Sequence, residues 1–397
     1  MSHNAFVKGL LDCGCNVDII MASNGWGEQD NALPNWQEAN YYTYESESLI
    51  DRLRKKGRNT ITVQVTGTDD NINDESSHNK IDVKQKIRKI IKEFFYFLFP
   101  SDPIYPLERT WLKNAKKFNS HKTYDLIISN SSPAASHKLV SLLKDNKRVC
   151  FKRWIQIWED PWFYDLYGNS NLKIKDEEAF LLNKTSEIYY VSPLTMMYQK
   201  KYFPESALKM KCIPLPFFEL KKDDNNKDEQ VISNSYGYFG DFYSTTRNLY
   251  PFYQALEKIG YTGFIFGDSD LPLKSTDKIQ VSGRVTLDKL SSIQDKTDVL
   301  VHLCNLKGGQ IPGKIYHYSA TTKKILFILD GTVEEQDFLY KFFSKFNRFY
   351  FCKNNKDSIL ETMRAITLGN STISNQTVKD FAPKNVVQTI IDKKSLL

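Results

Sequence analysis

Short apolar segments alternate with helix-like segments along this chain of 397 residues, and the alternation restarts after a polar stretch. Candidate strands such as Tyr124–Ser129 and Lys324–Leu329 are nearly continuous apolar runs, as expected for strands that helices cover on both faces. Regular alternation of this kind predicts parallel, doubly wound sheets, so the fold class is α/β. The length exceeds what one hydrophobic core usually holds, which predicts two domains.

The polar stretch Lys221–Glu229 is rich in charge and asparagine and marks the expected domain boundary. We predict an N-terminal domain over residues 1–215, a linker over 216–232 and a C-terminal domain over 233–397. The last helix, near Val386–Lys394, is expected to pack back on the N-terminal domain.

The beginning of the chain departs from the usual order of an α/β domain. A helix-like segment, Asn4–Cys13, precedes the first strand candidate, Val17–Ala22, whereas such a domain normally begins with a strand. We therefore expect the first strand of the N-terminal sheet to be missing or to lie upstream of this sequence.

Composition narrows the class of protein. Hydrophobic residues make up 41% of the chain and charged residues 25%, which is typical of a soluble globular protein. The six cysteines include no Cys-x-x-Cys pair, so neither a disulfide framework nor a zinc site is expected, and a cytoplasmic location fits. No secretion signal and no apolar run of about 18 residues is present, which predicts that no segment spans a membrane.

The net charge of +7 favours anionic partners, such as nucleotide diphosphates or anionic lipid surfaces. Nucleic acid is not expected, because the sequence has no zinc-finger spacing, RNA-binding aromatic signature or dense basic tail. The segment Val83–Phe99 has five cationic residues between positions 84 and 92, followed by aromatic residues. This pattern fits a helix on the inner face of a membrane, or an ordinary amphipathic helix packed against a core.

Residues Gly308–Ala320 combine glycines, a proline and a lysine before an apolar strand. A helix is predicted over Pro312–Thr321, with proline in its first turn. Gly313 would allow a ligand to approach the backbone, and Lys314 near the helix start would bind phosphate oxygens. The alternative is a plain turn with an exposed lysine.

A second candidate site follows two strands in the N-terminal half. Alternation along Val149–Trp158 places Trp154 and Trp158 on one face, so that Trp158 and Trp162 are candidate sugar-stacking rings beside Asp160. The Asp160 carboxylate would accept a hydroxyl proton as a general base. The alternative is a structural turn with tryptophans in the core.

The other polar candidates in this half follow the strand Tyr124–Ser129. Asn130, Ser131 and Ser132 come at its carboxyl end, where open α/β sheets bind ligands. His137 lies one turn into the next helix, either facing the same site or buried.

Four stretches together resemble bacterial glycosyltransferases of the GT-B fold, family 4-like, of the kind found in capsule, lipopolysaccharide and exopolysaccharide pathways. They are Tyr124–Pro133, Trp154–Trp162, Tyr238 through Arg247, and Gly309–Ala320. The resemblance implies two Rossmann-like domains facing a central cleft. It also implies metal-independent transfer of a sugar from a nucleotide-diphosphate donor, which is a substrate rather than a cofactor, to a saccharide or lipid-linked saccharide.

The resemblance assigns the donor to the C-terminal domain and the acceptor to the N-terminal domain. Arg247 and Lys314 would stabilise the departing diphosphate. The remaining donor-binding candidates are Gly240, Gly267, Ser269, Arg284, Gly309, Gln310, Ile311, Pro312, Gly313, Tyr316 and His317. The acceptor-binding candidates are Asn130, Ser131, Ser132, His137, Trp158 and Trp162, with Asp160 as base.

Two positions depart from the family pattern. Many relatives carry two glutamates eight positions apart where this chain has Gly309 and His317. Two alternative functions stay open. One is a sugar-nucleotide epimerase on the same fold, and the other is a catalytically silent partner subunit.

Overall fold

The structure, a computed structural model, describes residues 2–23, 36–47, 104–166, 171–217, 230–369 and 372–395. The alternation of Ile61, Val63 and Val65 with polar residues predicts a strand over Thr60–Val65. This strand, the helix predicted at Val83–Phe99 and most of the predicted linker lie outside these ranges. Below, the N-terminal half means the described residues up to 217, and the C-terminal half means those from 230 onward.

Helices and strands alternate through both halves. The helices are α1 (Ser2–Asp12), α2 (Arg109–Ala115), α3 (Ala135–Asp145), α4 (Leu172–Lys184), α5 (Pro193–Tyr202), α6 (Tyr250–Ile259), α7 (Leu287–Lys296), α8 (Lys314–Tyr318), α9 (Val333–Phe343), α10 (Lys356–Leu368) and α11 (Pro383–Ile391). The strands are β1 (Asp18–Ala22), β2 (Asn40–Tyr44), β3 (Thr123–Tyr124), β4 (Ile127–Ser131), β5 (Cys150–Phe151), β6 (Trp154–Trp158), β7 (Glu187–Tyr190), β8 (Met210–Cys212), β9 (Ile232–Phe239), β10 (Thr262–Phe266), β11 (Ile279–Ser282), β12 (Thr297–Leu303), β13 (Lys324–Leu329) and β14 (Tyr350–Lys353). Within the described parts of the chain, no helix is long and apolar enough to cross a bilayer.

The C-terminal half is built on one six-stranded parallel sheet in the order β11-β10-β9-β12-β13-β14. Numbered along this half, the order is 3-2-1-4-5-6, the doubly wound arrangement predicted from the alternation. Its central strands are apolar on both faces, since Ile325–Ile328 is fully buried between helix layers. The order reverses between β9 and β12, and parallel sheets bind ligands at the carboxyl ends of such strands.

The N-terminal half contains a four-stranded parallel sheet, β4-β6-β7-β8, and two separate parallel pairs, β1-β2 and β3-β5. The strands predicted at Tyr124–Ser129 and Val149–Trp158 are each divided in two, as β3 with β4 and β5 with β6. Asp18 of β1 accepts hydrogen bonds from Tyr124 (2.8 Å) and Lys122 (2.9 Å). These bonds attach the β1-β2 pair to the start of the β3 segment.

The first and last helices pack against each other and onto the N-terminal sheet. Phe6 of α1 and Val386 and Ile390 of α11 share one apolar cluster with Ile155 of β6. Gly9 lies at the closest approach, where a Cβ atom would stand 2.3 Å from the Pro383 carbonyl oxygen. The end of the chain therefore contributes to the core of the N-terminal half.

A larger apolar cluster crosses from one half to the other. It joins Trp158 and Leu194 of the N-terminal half to Phe239, Ile315 and Tyr316 of the C-terminal half. Because these side chains are buried together, burial of apolar surface stabilises the arrangement of the two halves.

Candidate functional site

The clearest concave site among the described residues lies where the strand order of the C-terminal sheet reverses. It is a cavity of about 440 Å³ at the carboxyl ends of β9, β10 and β12. Seven residues predicted from the sequence line it, namely Gly240, Arg247, Gly267, Arg284, Pro312, Gly313 and Lys314. The lining residues that the sequence did not indicate are Tyr238, Phe239, Asp241, Phe266, Val285, Leu290, Val301, His302, Leu303 and Tyr318.

Glycines at the ends of β9 and β10 allow these strand ends to meet. A Cβ atom on Gly267 would lie 1.9 Å from the carbonyl oxygen of Gly240, far closer than a non-bonded Cβ atom can approach. The Gly267 backbone also has a φ of 154°. Any larger residue would push the two strand ends apart, so Gly267 shapes the cavity wall.

Lys314 brings its ammonium to the end of β9, where it donates a hydrogen bond to the carbonyl oxygen of Phe239. Although the residue as a whole is exposed, burial of the ammonium lowers the pKa of Lys314. The nearby cations Arg247 and Arg284 lower this pKa further, while Asp241 raises it. An anion bound in the cavity would oppose this loss of charge.

The helix behind Lys314 differs from the prediction. Helix α8 has only five residues and begins at Lys314, with Gly313 as its N-cap, so Pro312 precedes the helix instead of opening it. The predicted helix length is therefore wrong, and a helix this short has few aligned peptide dipoles to attract a phosphate. The lysine side chain itself remains the phosphate-binding candidate.

The sequence predicts a helix over Arg247–Ile259. In the structure Arg247 lies in a turn before helix α6, which begins at Tyr250. Its backbone N–H donates to the Tyr243 carbonyl oxygen at 2.8 Å. The side-chain Nε is buried and has no hydrogen-bond partner among the described residues. A buried N–H without a partner costs about 1–3 kcal/mol, and a bound oxyanion would remove that cost.

Arg284 is exposed and pairs with two carboxylates at the cavity mouth. It contacts Asp241 and Asp268, with 3.3 Å from Arg284 Nε to Asp268 Oδ2. The hydrogen bond from Arg284 lowers the pKa of Asp241. Asp241 was missed because an aspartate after a strand-end glycine is also common in plain turns.

Gly309 and Gln310 contact the N-terminal half and do not line the cavity. The Gly309 carbonyl oxygen accepts hydrogen bonds from the hydroxyls of Ser192 (2.6 Å) and Thr195 (3.1 Å) at the start of α5. Gln310 Nε2 donates to Asp160 Oδ1 at 2.6 Å. Gly309 and Gln310 therefore join the two halves in this structure.

The other predicted donor residues also lie away from the cavity lining. Ile311 packs against the cluster that crosses the halves, and the buried Tyr316 hydroxyl donates to the Val191 carbonyl oxygen at 2.6 Å. Ser269 Oγ accepts the backbone N–H of Leu271. His317 is half-buried, and burial lowers its pKa to about 4, so that it is neutral near pH 7.

Two predicted acceptor-binding residues are in the core, which corrects those predictions. Trp158 and His137 are both fully buried, with ring centroids 4.3 Å apart. Trp158 Nε1 donates to Gln156 Oε1 at 3.1 Å, and His137 Nδ1 lies 2.8 Å from Ser129 Oγ. Burial lowers the pKa of His137 to about 3. Because helices cover both faces of the sheet, neither ring has a face for a sugar.

The remaining acceptor candidates lie at the carboxyl edge of β4 and β6. Ser132 is exposed, Ser131 is buried, and the Asn130 carbonyl oxygen accepts a hydrogen bond from Ser136. Trp162 is half-buried and packs on Tyr105, with ring centroids 5.3 Å apart.

Asp160 is engaged by Gln310, so a role as base requires this contact to open. Burial raises the pKa of Asp160, while the hydrogen bond from Gln310 opposes the rise.

A buried glutamate below the loop after β6 was not indicated by the sequence. Glu178 of α4 is fully buried, and its Oε2 accepts the backbone N–H of Phe163 at 2.6 Å. Burial raises the pKa of Glu178 to about 8. No sequence signal marks it, because a glutamate between lysines and other acids on a helix is usually solvated.

The pH dependence of the free energy of unfolding tests whether Glu178 is buried. Between pH 4.5 and 8 the folded state keeps the Glu178 proton while the unfolded state releases it, so the free energy of unfolding falls as pH rises. Between about pH 6.5 and 7.5 we expect a fall of roughly 1 kcal/mol from this group. Glu178→Gln should remove it in denaturant titrations at several pH values. The exposed Glu361→Gln on α10 is the control, and an unchanged pH slope in Glu178→Gln would contradict the assignment.

Comparisons with known proteins address the fold. The sequence matches no protein-family model, and no curated protein shows significant sequence similarity to it. The structure resembles HepE from Anabaena in complex with UDP-glucose, at 12% identity and a TM-score of 0.51, covering 95% of this chain and 98% of HepE. It also matches a glycosyltransferase from Rickettsia africae (12% identity, TM-score 0.47, covering 100% of this chain and 90% of that one). A UDP-GlcNAc 2-epimerase from Methanocaldococcus jannaschii matches at 10% identity and a TM-score of 0.43, covering 95% of this chain and 99% of that one.

The likeness to HepE extends over nearly the full length of both chains. Together with the parallel, doubly wound sheets, it shows that the chain has the GT-B fold, with two Rossmann-like units.

Proposed function

We propose that this protein is a glycosyltransferase that moves a sugar from a nucleotide-diphosphate donor to a saccharide or lipid-linked saccharide acceptor. The observation that carries the proposal is the cavity at the strand-order reversal, where Arg247, Arg284 and Lys314 converge. The finer assignment is a family 4-like enzyme of surface polysaccharide synthesis, as in capsule or lipopolysaccharide pathways.

The cationic side chains fit the chemistry of a departing nucleoside diphosphate. As the glycosidic bond breaks, negative charge builds up on the diphosphate, and preorganised cations stabilise that charge. Arg247 offers a planar guanidinium that can bind two phosphate oxygens, and Lys314 adds a point charge beside it. With these charges in place, we propose that transfer requires no metal ion and no cofactor beyond the sugar donor.

We assign the acceptor to the N-terminal side of the cleft. The proposed domain bounds are those expected from the sequence, residues 1–215 and 233–397. Asp160 lies on that side and would act as general base after Gln310 releases it. A peripheral contact of the protein with the inner face of the plasma membrane, through residues 83–99, belongs to the same proposal.

The experiment is a screen of UDP-, GDP-, ADP-, dTDP- and CDP-sugars, with and without saccharide and lipid-linked acceptors. Nucleotide release and the identity of the sugar are both measured, in the presence and absence of EDTA. Acceptor-dependent nucleotide release that persists in EDTA supports the proposal. Conversion of a sugar nucleotide without acceptor indicates an epimerase, and tight donor binding without any conversion indicates a silent partner subunit.

A further inference from the structure

Two tyrosines stack on each other at the edge of the N-terminal half. The rings of Tyr164 and Tyr202 have centroids 4.7 Å apart and are inclined by 18°. Tyr164 is 46% exposed, although Phe163 packs edge-on against it at 4.9 Å. Nearly half of the Tyr164 surface therefore remains accessible to solvent.

The loop that presents Tyr164 is held from two sides. The Phe163 backbone N–H donates to Glu178 at 2.6 Å, and the Phe163 carbonyl oxygen accepts from Gln199 Nε2 at 3.1 Å. Both partners are buried. Tyr164 itself has a φ of 60°, which is rare for a bulky residue. Surroundings that over-determine an unfavourable backbone angle are characteristic of functional positions.

The tyrosine pair lies beside the contact between the halves. Leu166, two residues after Tyr164, has its Cα 3.0 Å from where a Cβ of Gly308 would stand. Tyr198 lies one helical turn before Tyr202 on α5, and its hydroxyl donates to Glu335 of α9 at 2.6 Å. Gly308 is only a few residues before Pro312, which lines the cavity. The pair thus lies in the N-terminal half, beside the segment that leads to the cavity.

We propose that Tyr164, backed by Tyr202, is a stacking platform for a pyranose ring of the saccharide acceptor. This inference rests on the proposed glycosyltransferase function. An accessible aromatic face presents the negative part of its quadrupole, which attracts the weakly positive C–H bonds on one side of a sugar ring. The tyrosine hydroxyls remain available to sugar hydroxyls at the ring edge. Trp158, the stacking ring expected from sequence, has no exposed face for this role.

The test uses the full chain and the methyl glycosides of glucose, galactose, mannose and N-acetylglucosamine. Saturation-transfer NMR measures the binding of each glycoside without requiring turnover. Tyr164→Gly removes the ring and suits the positive φ, so we expect the fold to be retained, which thermal unfolding checks. We expect binding of at least one glycoside to weaken about tenfold in Tyr164→Gly and in Tyr202→Leu. Tyr164→Phe keeps the aromatic face and should bind much as the unchanged protein does.

The matched control is Tyr250→Ala. Tyr250 is 45% exposed and stacks on Tyr253, but it belongs to α6 in the C-terminal half. The proposed platform is rejected if no glycoside shows binding that depends on Tyr164. It is also rejected if Tyr250→Ala weakens glycoside binding as much as Tyr164→Gly does. It is also overturned if Tyr164→Gly lowers binding to phosphatidylglycerol vesicles and leaves glycoside binding unchanged. If glycosides bind in a way that depends on Tyr164 but the protein uses no sugar nucleotide, the stacking platform is supported and the glycosyltransferase proposal is rejected.

Discussion

Lys314→Met is expected to weaken sugar-nucleotide binding and to lower kcat/KM by roughly tenfold to a hundredfold. The methionine keeps the unbranched stem, so the change removes mainly the ammonium that reaches the end of β9 at Phe239. A charge-assisted hydrogen bond to phosphate contributes about 1.5–3 kcal/mol, which corresponds to this range of rates. Calorimetry with the preferred donor and steady-state kinetics measure the two effects separately.

Arg247→Ala should cause a loss of similar size, because its buried Nε then no longer offers a bond to the diphosphate. The control is Lys307→Met, which removes an exposed lysine of the same segment that does not line the cavity. Thermal unfolding of each variant shows whether the fold is retained. Donor affinity and turnover equal to those of the unchanged protein in both Lys314→Met and Arg247→Ala would reject the assignment of the cavity.

Trp158→Ala is expected to lower the free energy of unfolding by about 3–5 kcal/mol, since it empties a fully buried site. The ring packs on His137 and belongs to the cluster that joins the halves, so the cavity left behind has many neighbours. Denaturant unfolding measures the loss.

Trp162→Ala gives the comparison for this measurement. Trp162 is only half-buried, so we expect a clearly smaller loss of stability. A Trp158→Ala variant with the stability of the unchanged protein and weaker saccharide binding would show that Trp158 has an accessible face after all.

The secondary structure of the C-terminal half was predicted well because its signals are local. Apolar runs such as Lys324–Leu329 coincide with the strand β13, and the helix predicted at Arg247–Ile259 differs from α6 only at its start. Helix α4 is missing from the sequence predictions, since Glu178 interrupts its apolar positions. The length of α8 was overestimated because the proline and glycines that precede it resemble a helix start.

The site residues also differ in how far a local sequence signal could predict them. Gly240 and Gly267 were found because strand-end glycines are visible in a sequence. Asp160 and Gln310 were both singled out, but their hydrogen bond to each other depends on how the two halves meet. His137 could be assigned to neither core nor cleft until α3 was placed against the sheet.

The α/β class and the parallel sheets follow from local sequence patterns, since the spacing of apolar residues along a segment decides which faces it can bury. Which polar side chains face the cavity depends on how distant segments come together in the fold. The strand order 3-2-1-4-5-6 brings Gly240, Gly267 and His302 to one edge and places Lys314 beside them, although they are far apart along the chain. Burial between helix layers removed Trp158 from the cleft, whereas Tyr164 remains 46% exposed. Such distances across the fold are not encoded in any local pattern.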